Sequence, residues 1–264
     1  MDWNKTKNTF IITFLILNLF LGFQLYQKKE RSQLDPITEA SIEELLADDH
    51  ITYGDLPTPP SKESYVGVTN YNFTNTKLDG LKDQKIMLLD ATHLQGTFNK
   101  SIPISGSNAT FRFNQFLKDY IYKGSSYIRW NVDKDLKQII CYQKIGDATI
   151  YNNEGGKLII HLNDKNEMTG YEQTLLDVKD KIEVDKDILQ PIKVLENLYL
   201  NKEIEPDSNI TTVKLGYYNF SPVIANSDEA QMQILIPAWH IVVNKKDQYF
   251  MNAFEGDIVK GKTN

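Results

Sequence analysis

The chain has 264 residues, 41% hydrophobic and 24% charged, enough for a folded core in one or two domains. Its net charge is −6, and because Asp2, Lys5 and Lys7 sum to +1 within residues 1–27, the remainder carries −7; such an acidic body does not favour nucleic acid or anionic lipid. The single cysteine, Cys141, excludes an internal disulfide and sits in the apolar stretch IICY, which reads as an inert core thiol.

The first element is an apolar run. No charged residue stands between Lys7 and Lys28, and twelve of the residues from Phe10 to Tyr26 are Leu, Ile or Phe. As a helix these 20 residues span roughly 30 Å, the thickness of a bilayer's hydrocarbon core. On an insertion scale the twelve favour the membrane by about 4–7 kcal/mol before the polar residues subtract from it. Trp3 and Tyr26 bracket the run as interfacial aromatics do. A buried core helix is rarely apolar on every face, and a cleaved signal would be followed by small residues, whereas this run ends FQLYQKKER. The run therefore reads as a retained anchor in the lipid bilayer. Lys5 and Lys7 on one side nearly balance Lys28, Lys29 and Arg31 on the other, so charge does not orient it.

Asn18 lies near the middle of that run. With Asn18 at position a of a heptad, Ile11 and Leu25 share position a, Phe14 and Leu21 fall at d, and Gly22 lies on the same side. Two readings stand: a stripe that contacts a partner helix, with the amide setting register, or a lone asparagine tolerated without a partner.

ITEASIEELLADD then predicts a short amphipathic helix on a stalk, with Ile42, Leu45 and Leu46 on one side. LPTPPSKES breaks regular structure at a domain edge. Strands are expected at SYVGVTNYNF, QKIMLLDATHL, SSYIRWNV, LKQIICYQKI and KLIIHL. Within the first half a helix is expected over ATFRFNQFLKDYIYKG: Phe113, Phe116, Leu117, Tyr120 and Ile121 line one face, Ser107, Asn108 or Thr110 caps it, and Gly124 ends it. In the second half NEMTGYEQTLLDVK reads as a strand. A helix capped by Asp187, with Gln190 placed for a capping box, carries Ile188, Ile192, Leu195 and Tyr199. VKLGYYNFS, ILIPAWHIVV and QYFMNAF follow as strands, the last two joined by the turn NKKD. Each half runs from strand through one helix to three further strands.

The expected fold class is therefore α+β: an N-terminal transmembrane helix followed by an ectodomain of two similar units, each an antiparallel sheet backed by a helix. The expected divisions are a tail 1–7, the membrane helix 8–27, a stalk with a short helix 28–61, and α+β units 62–165 and 166–264.

Catalytic signals are weak. His50, His93, His161 and His240 show no metal-ligand spacing, and neither a G-x-S-x-G elbow nor a phosphate loop occurs. No catalytic, cofactor or metal residue is assigned. N-x-[ST] triplets at Asn72, Asn108 and Asn209 are unremarkable in an Asn-rich chain. The tyrosines of YNFTN, YQKIGDATIYNNEGG and GYYNFSP either face a protein partner or alternate on half-buried strands, the commoner cause.

The opening MDWNKTKNTFIITFLILNLFL resembles the N-terminus of the YycI (WalI) family, in MDW, in KTK before the membrane and in the FLILN segment ending at Asn18. The tail ILIPAWHIVVNKKDQYFMNAFEGDIV resembles the closing hairpin of YycI and YycH and has a PepSY-like character. The resemblance implies a cytoplasmic N-terminus, one span and an extracytoplasmic body. It implies a regulator, not an enzyme, that works with a YycH-like protein on the sensor histidine kinase WalK (YycG) of the cell-wall two-component system, partly through transmembrane helices. The contact residues are then Ile11, Phe14, Asn18, Leu21, Gly22 and Leu25. Relatives differ in whether they restrain or activate the kinase. An anchored PepSY-type module that holds a peptide or protease is the alternative.

Overall fold

A computed structural model describes residues 3–31, 41–78, 80–81, 83–103, 109–184, 186–220 and 232–261. By contacts the chain divides into two compact units, 1–45 and 46–264. The first contains α1 (Trp3–Arg31), one continuous helix whose described side chains are exposed all round its circumference. α2 (Ile42–Asp48) opens with a capping box. The Ser41 N–H donates to Glu44 Oε2 (3.0 Å), and the Glu44 N–H donates to Ser41 Oγ (3.3 Å).

The second unit begins before the predicted end of the stalk. Leu46 and Ile51 are buried, the Tyr199 hydroxyl donates to Asp49 Oδ2 (2.8 Å), and β1 (Thr52–Tyr53) already pairs with a later strand. β2 (Ser64–Asn70), β3 (Gln84–Leu88) and β4 (Leu94–Pro103) precede α3 (Ala109–Tyr120). β5 (Tyr127–Asp133), β6 (Gln138–Ile145), β7 (Ala148–Tyr151), β8 (Lys157–Leu162), β9 (Glu167–Gln173) and β10 (Leu176–Glu183) follow. α4 (Pro191–Leu200), β11 (Asn209–Tyr218), β12 (Gln233–Val243), β13 (Asp247–Asn252) and β14 (Ile258–Lys260) complete it.

Two antiparallel layers share these strands. In the first the order is β3-β4-β9-β8-β6-β5, and α3 covers one face: Phe113, Phe116, Leu117 and Ile121 pack with Leu94, Cys141, Leu158, Ile160 and Tyr171. The helical spacing read from the sequence is the buried face. In the second layer β12 holds β11 and β13 on opposite edges, since residues 238–243 pair with both, while Gln233–Leu235 pair with β2 and β2 with β10. α4 lies over this layer. Asn197 Nδ2 donates to the Gly256 carbonyl (3.1 Å), and the fully buried Trp239 donates from Nε1 to the Leu189 carbonyl (3.0 Å). A two-residue parallel ladder joins the layers, Tyr217 opposite Ile150 and Tyr218 opposite Tyr151.

The boundary expected at 165/166 lies in the turn of the β8–β9 hairpin, where Asn163 Oδ1 accepts from the Lys165 and Glu167 amides (both 2.9 Å). β9 thus belongs to the α3-backed layer and β2 to the α4-backed layer, so each layer takes strands from both halves of the chain. Two expected strands are each split. Asp90 Oδ1 accepts from the Thr92 and His93 amides (2.7 and 2.9 Å), turning the chain between β3 and β4. Thr174 accepts from the Lys157 amide (3.0 Å) between β9 and β10, where the chain changes layers. α4 starts at Pro191, not after Asp187: proline cannot donate to a helix interior, so it takes the first helical position, and Gln190 is an N-cap without a side-chain bond. The candidate caps Ser107 and Asn108 of α3 lie outside the described residues; Thr110 falls inside the helix, and the Gly124 amide closes its end on the Ile121 carbonyl (2.9 Å). The NKKD turn joins Val243 to Asp247 through three residues, with Asn244 and Lys245 both at positive φ (53° and 59°) and the Lys246 amide donating to the Val243 carbonyl (3.0 Å).

Candidate functional site

Two places stand out, one in each unit. On α1, Ile11, Phe14, Asn18 and Leu21 follow one another at steps of three, four and three residues, and Gly22 lies four after Asn18, so they share a side of the helix. Ile11, Phe14 and Leu21 are 56%, 66% and 53% exposed, as bare as the residues on the other sides. Among the described residues, and apart from its chain neighbours and the helix's own backbone, no atom lies within 4 Å of where a Gly22 Cβ would stand. Leu25 lies in the helix, but its side chain is outside the described residues. Side chains are described without a break from Phe10 to Gln24, about 22 Å of helix. Among the described residues no helix is long and apolar enough to cross a membrane.

In the body, the face of the second layer opposite α4 carries a row of rings. Trp130 reaches it from β5 because it is the extra residue of a bulge: Arg129 pairs with Cys141 and Asn131 with Ile140, leaving Trp130 unopposed. Its ring meets His240 at 4.8 Å and Tyr151 at 5.5 Å. His240 stacks on Phe250 (5.1 Å, 24°), and Phe250 on Tyr218 (4.8 Å, 23°). His240 is buried, and its Nε2–H donates to Gln248 Oε1 (3.2 Å). Burial holds its imidazole down at about 4, with the nearby Lys214 charge acting in the same direction. It is a neutral structural histidine at pH 7, the ordinary reading for a histidine in a strand. A cavity of about 380 Å³ opens beside the row, between Trp130 and Asn131 of β5 and Thr212 and Lys214 of β11, with Lys245 and Lys246 at its rim.

The remaining reactive groups are quiet. Burial pushes the Cys141 thiol up to about 12, which keeps it protonated and inert within the α3-backed core. His161 bridges to Glu172 (3.2 Å) and His93 to Asp90 (2.7 Å), both near the surface. Among the described residues no three metal-ligating side chains cluster. The tyrosines of the three aromatic stretches pack mainly on one another and on the strands, as in Tyr71 with Phe73 and Tyr122 and in the ring row. Sequence reasoning did not find the ring row, because a bulge and a junction between layers assemble it from five strands.

The fold is an apolar helix followed by a helix-backed, mostly antiparallel α+β body. The profile of the YycI protein family matches residues 29–254, and the chain belongs to that family. The Bacillus megaterium YpeB C-terminal domain is similar at 10% identity and a TM-score of 0.38, over 74% of this chain and 89% of that one. YycH from Bacillus subtilis is similar at 12% identity and a TM-score of 0.37, over 78% of this chain and 51% of that one; the chain spans about half of that protein's length. No curated protein matches the sequence.

Proposed function

We propose that the protein is a single-pass membrane accessory protein which, with a YycH-like partner, regulates a WalK/YycG-type sensor histidine kinase of the cell-wall two-component system. The observation that carries this reading is membership of the YycI family across residues 29–254. The charge-free run between Lys7 and Lys28 supports the anchor, and the cytoplasmic N-terminus and extracytoplasmic body follow from the family reading. The stripe through Asn18 supports helix contact within the bilayer, where small residues and lone amides promote association. Regulation then consists of biasing the position of the kinase helices, and a ligand or partner of the body alters it only by favouring one arrangement over the other.

The test is crosslinking in native membranes followed by capture of the full-length protein. Recovery of a sensor kinase and a YycH-like protein is expected. A mature chain found soluble, trimmed after about residue 27 and free of companions, overturns the proposal.

A further inference from the structure

The body holds a gap in its sheet. β12 occupies one edge of β11 from Ile210 to Tyr218. Residue Ile210 also pairs with β1, and Tyr217 and Tyr218 also pair with β7, so β1 and β7 both lie on the other edge, and both run parallel to β11. Between them, Thr211 to Leu215 have no paired strand on that edge among the described residues, whereas at Gly216 the Thr149 backbone of β7 already lies alongside. β5, across the cavity, pairs only with β6, so its outer edge is also without a strand among the described residues. Unpaired strand edges present rows of N–H and C=O groups that accept an added strand.

The surroundings of the gap suit such an addition. Thr212 and Lys214 line the cavity of about 380 Å³, whereas Leu215 and Tyr217 line a second one of about 390 Å³. Alternate residues of a strand point to opposite faces, so the two cavities flank the same open edge, one on each face. A strand laid along it would send alternate side chains into each. The first cavity has no acidic residue in its lining, and Lys214, Lys245 and Lys246 border it without an ion pair among the described residues, in a chain of net charge −6. The second is mixed, with Glu63, Asp147 and Lys181.

We propose that the open edge of β11 is a docking slot for an extended acidic peptide segment of a partner protein, which adds as a strand in line with β1 and β7 and turns its carboxylates toward Lys214, Lys245 and Lys246. Main-chain bonds to β11 supply affinity, and the two flanking cavities supply specificity. This goes beyond the regulator reading, and its failure leaves that reading intact.

The experiment uses the full chain in lipid nanodiscs and a fluorescein-labelled nonapeptide that alternates Glu with Val or Thr. Fluorescence anisotropy is compared with a Lys-for-Glu peptide and with the Glu peptide N-methylated at alternate residues, which keeps its charge and removes its donors. Hydrogen exchange reads the β11 amides. Binding of the Glu peptide is expected, with protection appearing over Thr211–Leu215. N-methylation, and separately Lys245→Glu/Lys246→Glu in a protein whose melting is unchanged, should each weaken binding about ten-fold or more. Three results overturn the proposal: no binding of the Glu peptide, equal binding of the N-methylated peptide, or binding without protection in β11. Binding of poly(glycerol phosphate) in place of the peptide also overturns it.

Discussion

The rings of Trp130 and His240 lie 4.8 Å apart although one belongs to the α3-backed layer and the other to the α4-backed layer. This contact helps bury His240 and keeps its imidazole at about 4, below the ordinary 6.5. The unfolded chain therefore takes up the proton first. The stabilisation is complete above pH 6.5, falls as pH drops from 6.5 to 4, and then levels off once folded His240 also protonates. The loss amounts to about 3 kcal/mol. Urea titrations of the protein and of His240→Phe should therefore give a stability difference that is flat above pH 7 and moves about 3 kcal/mol in the variant's favour by pH 4. A difference independent of pH would show that His240 is not held neutral by this packing.

Tyr171 lies across Gly96 on the neighbouring strand, and a Cβ at Gly96 would stand 2.2 Å from its ring. The ring is rigidly enclosed, so Gly96→Ala should destabilise by about 1–3 kcal/mol through overpacking. The Tyr171 hydroxyl is buried without a hydrogen-bond partner among the described residues. Tyr171→Phe should accordingly raise stability by about 1 kcal/mol, because an unsatisfied polar group leaves the core. Paired denaturation midpoints check both, and a loss of stability in Tyr171→Phe would mean that the hydroxyl has a partner.

What was legible in the sequence follows from periodicity. Phe113, Phe116, Leu117 and Ile121 announce the buried face of α3 because one helix repeats its pattern over three turns. The run ILIPAWHIVV and its NKKD turn announce the β12–β13 hairpin for the same local reason. The stretch from Leu94 to Pro103 was not recognised as strand beyond its start: Leu94, Gly96 and Phe98 do alternate, but the glycine hides one inward position and a polar tail follows. β7 has four residues and β1 two, too few for any period. The exchange of β2 and β9 between layers, and the bulge that carries Trp130 to His240, depend on pairings between distant residues, and no local pattern encodes them. Ile11, Phe14, Asn18 and Leu21 fall on one side of α1 because a single helix places residues three and four apart on the same side.

The capping box of α2 gives a local prediction. Ser41→Ala removes the Oγ that accepts from the Glu44 amide, while the backbone N–H at position 41 still donates to the Glu44 carboxylate. The cost is about 1 kcal/mol, confined to the first turn, since Leu46 at the far end is fully buried. Hydrogen exchange at Glu44 and Leu45 should accelerate about five-fold while the melting temperature of the body stays put. A shift of the whole melting curve would instead make the first turn part of the cooperative core.

Asn18 provides the sharpest test of the regulator proposal. It is the one side-chain amide between Phe10 and Phe23, on the side of α1 that also carries Ile11, Phe14 and Gly22. Replacing it by leucine makes the run more apolar, so insertion is preserved or improved. An interhelical bond from an amide contributes about 0.6–2 kcal/mol in a bilayer, so Asn18→Leu should weaken association with the kinase helices about three- to thirty-fold. Leucine on the opposite side, at Thr13, is the control for general hydrophobicity. A membrane two-hybrid assay with quantified expression reads both. Equal association for the two variants and the parent would remove Asn18 from the contact and leave Gly22 and its neighbours to account for any pairing.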